Sequence, residues 1–173
     1  NQLLALSDIQ TIFSQFDIEN EPQNLSLYQN AFIHKSYSLT KNNLDDIVEK
    51  PEGALELMES DNERLEFLGD SVLGLVIASY LYERYPSQNE GFLTRMKTNL
   101  VRAEALAYLA NEIELGQFII MSRHIEDKCN GRKSMKILED VFEAFLGAIF
   151  LDFNETEFPN TDFYSGMGFH ICQ

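Results

Sequence analysis

Cysteine is scarce in this chain: only Cys129 and Cys172 occur among its 173 residues. Two cysteines cannot build a disulfide framework, and their scarcity favours a reducing compartment, so we expect an intracellular location, cytoplasmic or nuclear. The longest uncharged apolar stretch, residues 71–82, is shorter than the roughly 20 residues that a membrane helix needs. The first residues, NQLLALSD, lack the basic region of a signal peptide. We therefore expect no association with a membrane.

Basic residues are also few, 13 against 28 acidic ones, so the formal net charge is −15. This balance argues against a nucleic-acid partner, because binding a polyanion usually needs a basic surface. The distribution weakens that argument. Residues 95–136 hold eight basic and five acidic residues, a local net charge of +3, whereas the rest of the chain holds five basic and 23 acidic residues. A solvated surface of mixed charge explains this pattern as well as an RNA-binding face does.

The pattern of apolar residues predicts an all-α fold. With 45% hydrophobic and 24% charged residues the chain has the composition of an ordinary globular protein, and its length suits one domain spanning residues 1–173. Apolar residues recur at helical spacing with few β-branched runs, and Pro86 ends the longest such segment. The predicted helices are Leu4–Phe16, Leu25–Tyr37, Glu63–Arg84, Phe92–Asn111 and Lys133–Phe153.

The segments between these helices are polar. Residues 42–61 are acidic and contain Pro51 and Gly53, so they predict a loop, with a short helix around residues 55–58. Residues 113–131 mix glycine, serine and charges and predict a second stretch that is mostly loop. No repeat or flexible linker divides the chain.

Three acidic residues share one face at the start of the long helix 63–84. At about 100° per residue, Glu66 and Asp70 lie within about 60° of Glu63. A solvated acidic stripe on an amphipathic helix is the common explanation. Residues 71–82 carry no charge, however, so the acidic stripe continues directly into apolar positions. The helix is therefore predicted to be exposed only in its first turns and buried on all sides afterwards.

A second helix places a carboxylate in a more apolar setting. Glu143 is the only charged residue in the stretch 141–151, and Asp140 lies three residues before it on the same face. An ionised carboxylate among apolar side chains needs a cation, a pKa shift or a hydrogen-bonding partner. A buried salt bridge to one Arg or Lys would satisfy it. Two acid pairs on two apolar helices favour a hard divalent ion such as Mg²⁺, whereas no H-x-E or C-x-x-C spacing offers a zinc site.

Glycines continue both acidic stripes. Gly74 follows Asp70 by four residues, and Gly147 follows Glu143 by four residues. Because glycine lets backbones approach closely, we expect the two helices to pack against each other near Gly74 and Gly147, which would bring both acid pairs to one metal.

Residues 62–73, NERLEFLGDSVL, resemble the signature of the ribonuclease III family with its flanks. Other motifs occur in the family's order: H-x-S-Y at 34–37, N-E-G at 89–91, L-x-R-M-x-x-x-L-V-R at 93–102 and D-V-F-E-A-x-x-G-A-I-x-L-D at 140–152. The resemblance runs from about residue 25 to residue 152. It implies the helical endonuclease-domain fold of that family, and Mg²⁺-dependent hydrolysis of double-stranded RNA to 5′-phosphate and 3′-hydroxyl products, with Mn²⁺ as a substitute metal.

The resemblance also assigns roles to single residues. Four acids match the family's metal ligands: Glu66, Asp70, Asp140 and Glu143. Asp70 and Glu143 are thereby expected to be catalytic, together with Lys136, which matches an active-site lysine of the family's eukaryotic branch. Glu63 and Glu90 match supporting acids near the cleft, and Phe67 matches the aromatic residue that plugs into the partner subunit of a homodimer.

Two further expectations come from the residues themselves. The basic region offers four candidate contacts to RNA phosphates: Arg95, Lys97, Arg132 and Lys133. His34 is expected to cap a helix or to lie in the core rather than to act as a catalytic base.

The sequence departs from the family pattern in two places. The segment between His34 and Asn62 is longer than the bacterial pattern, so residues 41–61 look like an acidic insertion. The family's usual C-terminal double-stranded-RNA-binding domain is not contained in this chain. A catalytically inactive, ribonuclease-III-like module that binds duplex RNA is the alternative function, and an acidic helical scaffold without an RNA role is another. The four intact acids argue against the inactive module, because a binder gains nothing from uncompensated buried acids. The scaffold predicts no affinity for Mg²⁺ and no basic face.

Overall fold

A computed structural model describes residues 1–39, 52–155 and 167–173 of the chain. Within these residues the protein is helical and contains no β-strand, only two isolated parallel bridges, Ile33–Ile120 and Ser38–Met58. The predicted all-α fold is confirmed. The α-helices are α1 Leu6–Ser14, α2 Leu25–Ala31, α3 Glu63–Arg84, α4 Glu90–Leu100, α5 Ala103–Glu112, α6 Arg123–Cys129, α7 Met135–Glu155 and α8 Met167–Cys172.

Helix α7 is the centre of the fold. It packs against α2, α3, α5 and α8, and the residues on its inner faces, such as Val141, Ala144 and Ala148, are fully buried. Phe145 joins an aromatic cluster in which its ring centroid lies 5.9 Å from that of Tyr28 and 5.8 Å from that of Phe32. Burial of apolar area around the middle of α7 explains why residues 141–151 carry a single charge, that of Glu143.

A buried carboxylate joins the end of α7 to the start of α2. Asp152 accepts hydrogen bonds from the backbone N–H groups of Gln23 and Asn24 and from the hydroxyl of Tyr28, at 2.8–2.9 Å. It therefore caps the N-terminus of α2 from a distant part of the chain. Burial, together with the neighbouring Asp152, raises the pKa of Tyr28 well above its usual range.

The predicted helix Leu25–Tyr37 is wrong in its second half, because tertiary hydrogen bonds end α2 at Ala31. The backbone N–H of Ile120 donates to the carbonyl of Phe32, and the N–H of His34 donates to the carbonyl of Ile120. These bonds hold Ile33 in a parallel bridge with Ile120 and His34 in an extended conformation, and a short 3-10 turn, Lys35–Tyr37, follows. The packing of a distant segment overrides the local helical spacing here.

The described end of the acidic insertion is also not helical. The carbonyl of Met58 accepts from the backbone N–H of Leu39, and its N–H donates to the carbonyl of Tyr37, so the short helix predicted around residues 55–58 is replaced by a bridged, extended segment. The hydroxyl of Tyr37 donates to the carbonyl of Leu55, which fastens this segment to the domain. Residues 41–51 of the predicted insertion lie outside the described residues.

Two other helix boundaries differ from the prediction. The segment 92–111 is two helices, α4 and α5, because Arg102 adopts an extended conformation between them. Residues 113–131, predicted as mostly loop, contain α6 and the 3-10 turn Leu115–Phe118. They also contain Ile119, Ile120 and Met121, which are fully buried.

Helix α3 keeps the predicted bounds but not the predicted burial. Phe67, Leu75 and Tyr82 are 78%, 57% and 74% exposed, and Ser71 and Ala78 between them are exposed as well. These five residues share one face of the helix, called here the apolar stripe. The prediction of burial on all sides was wrong because the other packed elements cover only the opposite faces of α3.

By length and composition α3 is the single helix of the described residues that could cross a membrane. Such a match is weak evidence, since the core helices of other proteins pass the same test. The helix also begins with Glu63, Arg64, Glu66 and Asp70, and it packs along α7. The apolar character of α3 is therefore explained by its packing on α7 together with the apolar stripe.

Candidate metal centre

The site forms where the backbones of α3 and α7 touch. A Cβ atom on Gly69 would lie 1.7 Å from the carbonyl oxygen of Glu143, and one on Gly147 would lie 2.4 Å from the carbonyl oxygen of Leu65. Only glycine fits at both positions. The expected close contact at Gly147 is confirmed. The expected contact at Gly74 is wrong, because a Cβ there would meet only the side chain of Lys97, and Gly69 takes its place.

This contact brings three predicted acids together. Glu66 on α3 and Asp140 and Glu143 on α7 each place a carboxylate oxygen within 4.8 Å of the others. Glu66 and Asp140 are partly buried, and Glu143 is only 7% exposed. Asp70 is exposed and does not join this group of three. We call Glu66, Asp140 and Glu143 the acid cluster.

An open cleft of about 470 Å³ lies over the acid cluster. Its walls hold Glu66 and Glu143 of the cluster as well as residues from the outer faces of α3 and α7. These further residues are Glu63, Phe67, Asp70, Lys136 and Glu139. Asp70 therefore faces the same space as the acid cluster.

Lys136 lies among these acids. Its Nζ is 2.6 Å from Oδ1 of Asp140, 3.4 Å from Glu139 and 3.6 Å from Glu66. The salt bridge considered from the sequence is therefore present for Asp140 and Glu66. Glu143 has no ion pair of this kind among the described residues. Oδ1 of Asp140 is buried and, despite its short contact to Lys136, has no hydrogen bond of acceptable geometry in the described part of the chain.

The pKa values show that negative charge is in excess here. Burial, and then the charges of Asp70, Glu139 and Glu66, raise the pKa of Glu143 from 4.5 to about 8. Burial and the charge of Asp140 raise the pKa of Glu66. Its close contact with Asp140 leads the causes that raise the pKa of Lys136 above its usual range. One ammonium group thus leaves the acid cluster incompletely neutralised.

The donor set fits a hard divalent cation. All ligand atoms on offer are carboxylate oxygens, which Mg²⁺ and Mn²⁺ prefer over nitrogen and sulfur ligands. One of these oxygens, Oδ1 of Asp140, is buried and makes no hydrogen bond in the described residues beside its ion pair with Lys136. The protonated Glu143 would regain its charge beside a cation. The open cleft leaves room for the waters that Mg²⁺ usually retains.

The two residues predicted as supporting acids lie apart from the acid cluster. Glu63 lines the cleft and forms an exposed ion pair with Lys35 at 3.0 Å, which raises the pKa of Lys35. Glu90 is exposed in the first turn of α4, where its Oε1 accepts from the hydroxyl of Thr94 at 2.8 Å. Glu90 is not among the residues that line the cleft.

His34 has the structural position that was expected. Its Nδ1 accepts a hydrogen bond from the backbone N–H of Ser36 and caps the 3-10 turn that follows. Burial lowers the pKa of His34. A neutral histidine held in a cap is consistent with a structural role.

The four basic residues predicted to contact phosphates do not form one surface. The ammonium of Lys97 lies over Gly74, one helical turn beyond Asp70, and is therefore on the cleft side of α3. Arg95 is exposed on α4, and Lys133 is exposed in the 3-10 turn Gly131–Lys133 that precedes α7. Arg132 is different because its guanidinium is already engaged.

Arg132 holds the segment before α6 in place. Its guanidinium donates to the carbonyls of Gly116, Gln117 and Ile119, and it pairs with Glu126. All three of its nitrogens are engaged, since Nη2 also donates to Oδ1 of Asn1. The structure therefore gives Arg132 a structural position instead of the predicted contact with phosphate.

Sequence reasoning missed Glu139, and it missed Lys35, the ion-pair partner of Glu63. Glu139 is 17% exposed, lines the cleft and pairs with Lys136. It precedes Asp140 directly and looked like an ordinary surface charge at the start of the apolar run. Its spacing of three residues from Lys136 on one helix was a usable signal.

Comparison with known proteins identifies the family. The family model described as Ribonuclease-III-like matches residues 24–159. The chain belongs to the ribonuclease III family. The sequence is 40% identical over 147 residues to Ribonuclease 3 of Borreliella burgdorferi, covering 85% of this chain and 50% of that protein. It is 41% identical over 148 residues to Ribonuclease 3 of Streptococcus pneumoniae, covering 85% of this chain and 57% of that protein.

Solved structures agree with this assignment. The nuclease domain of ribonuclease III from Campylobacter jejuni superposes with a TM-score of 0.69 at 30% sequence identity, covering 95% of this chain and 90% of that one. That structure is described as showing flexibility in a region involved in dimer formation. A second structure of the same domain gives a TM-score of 0.66 at 31% identity, covering 89% of this chain and 98% of that one. The fold is therefore that of a ribonuclease III nuclease domain, and the chain spans about half the length of the two curated relatives described above.

Proposed function

We propose that residues 1–173 form the catalytic domain of a Mg²⁺-dependent endoribonuclease. It hydrolyses phosphodiester bonds of double-stranded RNA and leaves 5′-phosphate and 3′-hydroxyl products. The observation that supports this proposal is the acid cluster: three carboxylates from two helices that meet beneath an open cleft, in a chain of the ribonuclease III family. The two free cysteines fit the expected intracellular location, cytoplasmic or nuclear.

In this proposal Glu66, Asp140 and Glu143 hold the metal, and Asp70 adds a fourth carboxylate from the wall of the cleft. Bound Mg²⁺ would polarise the scissile phosphate, lower the pKa of a bound water and stabilise the leaving 3′ oxygen. Mn²⁺ is expected to substitute, because it has the same preference for oxygen ligands. The ammonium of Lys136 lies in the cleft, where it can offset negative charge on the phosphate in the transition state.

Duplex RNA is expected to be recognised by its shape, through phosphates and 2′-hydroxyl groups of the minor groove. Lys97, Arg95 and Lys133 remain candidate phosphate contacts, with Lys97 nearest to the acids on α3. Glu63 and Glu90 are proposed to support the cleft without binding metal. The dominant negative charge of the chain predicts weak binding that depends strongly on low salt.

We also propose that the catalytic unit is a homodimer. Phe67, 78% exposed, lies beside Glu66 at one end of the apolar stripe, and a second copy of the same stripe would cover it. A two-fold axis presents the same patch on both subunits and places a second acid cluster at a fixed distance. Two such clusters would suit a substrate whose two strands must both be cut.

The test is incubation with long duplex RNA at low salt, with and without Mg²⁺. We expect short duplex products with 5′-phosphate ends in the presence of Mg²⁺ and intact RNA in EDTA. Glu143→Gln, which keeps the side-chain shape, should lower the cleavage rate by at least roughly 100-fold. The matched control is Glu112→Gln, at an exposed glutamate of α5, which should cleave normally.

Two outcomes would reject parts of the proposal. Normal cleavage by Glu143→Gln would exclude Glu143 as a metal ligand. Duplex RNA that is bound but never cut in Mg²⁺ or Mn²⁺ would favour the alternative, a catalytically inactive RNA-binding module.

A further inference from the structure

Lys136 makes its contacts with two kinds of acid. Two of its three partners, Asp140 at 2.6 Å and Glu66 at 3.6 Å, belong to the acid cluster. The third, Glu139 at 3.4 Å, lies one turn along α7 and does not belong to it. The ammonium group therefore already occupies ligand oxygens that a divalent cation would need.

We propose that Lys136 is an internal competitor of the divalent cation, so that metal binding displaces its ammonium group from Asp140 and Glu66. This inference rests on the proposed metal site. An ammonium and a divalent ion at the short distance to Oδ1 of Asp140 repel each other and compete for the lone pairs of that oxygen. The exchange is feasible because the Lys136 side chain is 67% exposed and has a free path into solvent.

Glu139 determines where the displaced group goes. It lies three residues after Lys136 on the same helix, lines the cleft, pairs with Lys136 and does not belong to the acid cluster. Lys136 would thus remain beside the cleft instead of moving into bulk solvent. Its position would lie next to the bound cation, where an incoming phosphate would meet it.

The competition makes a prediction about affinity in the absence of RNA. Lys136→Met keeps the length of the side chain but removes its charge, so the metal no longer has to break two ion pairs. We expect Mg²⁺ to bind about tenfold more tightly, since the metal no longer displaces an ammonium group from two partly exposed ion pairs. Lys136→Arg keeps the charge and should stay within about threefold of the unmodified protein.

The matched control is Lys133→Met, which removes one positive charge from the exposed turn before α7 without touching the acid cluster. Screening should limit its effect to about twofold. Isothermal titration calorimetry with MgCl₂ measures the Mg²⁺ affinity of the unmodified protein, of the three lysine variants and of Glu143→Gln. Thermal unfolding gives a second readout: Lys136→Met should melt at a lower temperature in EDTA and gain more from added Mg²⁺ than the unmodified protein does.

The outcomes separate the two proposals. Equal gains in Lys136→Met and Lys133→Met, or a tenfold gain in Lys136→Arg, would overturn the competition while leaving the metal site in place. Mg²⁺ binding that is absent in every variant, or that Glu143→Gln does not reduce, would overturn the metal site and the competition with it.

Discussion

Two faces of helix α3 differ in what is unusual about them: one carries acids at a partly buried site, and the other exposes apolar side chains. One face contributes Glu66 to the acid cluster, in which the carboxylate-bearing Glu143 of α7 is only 7% exposed. The other face exposes Phe67 and Tyr82 by 78% and 74%. Buried charge and exposed aromatic area are both unfavourable in an isolated chain. We propose that a divalent cation completes the acid cluster and that a second copy of the chain covers the apolar stripe.

The difference between the faces lies in how rigidly each is built. The acid cluster depends on backbone contact at Gly69 and Gly147, so its geometry is determined by the packing of α3 on α7. The apolar stripe is formed by side chains that no described element covers. We expect substitutions of the glycines on the first face to change the fold and substitutions of its carboxylates to change the chemistry, whereas those on the second face should change mainly assembly.

The largest expected effect concerns the glycines. Gly69→Ala would place a Cβ atom 1.7 Å from the carbonyl oxygen of Glu143, so the helices must separate. We expect a loss of about 3 kcal/mol in the free energy of unfolding, measured by denaturant titration. Gly74→Ala is the matched control: it meets only the flexible end of Lys97, and the higher helix propensity of alanine contributes up to about 1 kcal/mol in its favour. Equal destabilisation by both substitutions would contradict the close contact at Gly69.

A second prediction concerns the pH dependence of the metal-free protein. Because the pKa of Glu143 rises from 4.5 to about 8 on folding, the folded state binds its proton more tightly than the unfolded state. The stability associated with that proton is complete below pH 4.5 and is lost as the pH rises through about 8. Glu143→Gln cannot lose a proton, so at pH 9 in EDTA it should be more stable than the unmodified protein, by on the order of 3 kcal/mol.

The check is a set of thermal or chemical unfolding curves between pH 5 and about pH 9 in EDTA. The stabilities of the two proteins should converge at the acid end of this range and diverge at the alkaline end. Parallel curves for Glu143→Gln and the unmodified protein across this range would show that Glu143 is not held in the low-solvent environment described here.

A third prediction tests the apolar stripe. Phe67→Ala should weaken the dimer by about 2 kcal/mol, since a large aromatic anchor dominates such interfaces, and analytical ultracentrifugation measures the shift. Tyr80→Ala is a suitable control because Tyr80 is 55% exposed on the opposite face of the same helix. Equal weakening of the dimer by both substitutions would reject the stripe as the dimer interface. So would an unmodified chain that stays monomeric while it cuts both strands in one encounter.

The smallest expected effect concerns RNA. Lys97→Gln should weaken binding of duplex RNA a few-fold without sequence preference and lower the slope of log affinity against log salt by about 1. Lys128, exposed on α6, provides the control. If Lys128→Gln has the larger effect, the RNA lies on a different face from the one beside Asp70.

The comparison of the two faces also shows what sequence could and could not predict. The bounds of α3 were predicted correctly because a long periodic pattern ends before Pro86. The break between α4 and α5 was missed, since neither Val101 nor Arg102 is a helix-breaking residue. The turn of the chain after Ala31 was missed because its cause is a set of hydrogen bonds to Ile120, far away in sequence.

Within the site, residue types were easier to predict than geometry. Glu66, Asp140 and Glu143 were expected together and lie together. The choice between Gly69 and Gly74 depends on where two helices cross, which spacing along one helix does not determine. Arg132 was assigned to RNA from the charge of its region, but its guanidinium donates hydrogen bonds to the carbonyls of Gly116, Gln117 and Ile119 instead. A charged residue in a sequence cannot show which backbone groups will lie beside it.

The central claim is that a divalent cation completes the acid cluster, and the most direct measurement is anomalous X-ray scattering from crystals of the protein soaked in MnCl₂. We predict a Mn²⁺ peak between the carboxylates of Glu66, Asp140 and Glu143, with the ammonium of Lys136 moved away from Asp140. A crystal in which this position has no peak at saturating Mn²⁺, while Lys136 stays on Asp140, would contradict the account.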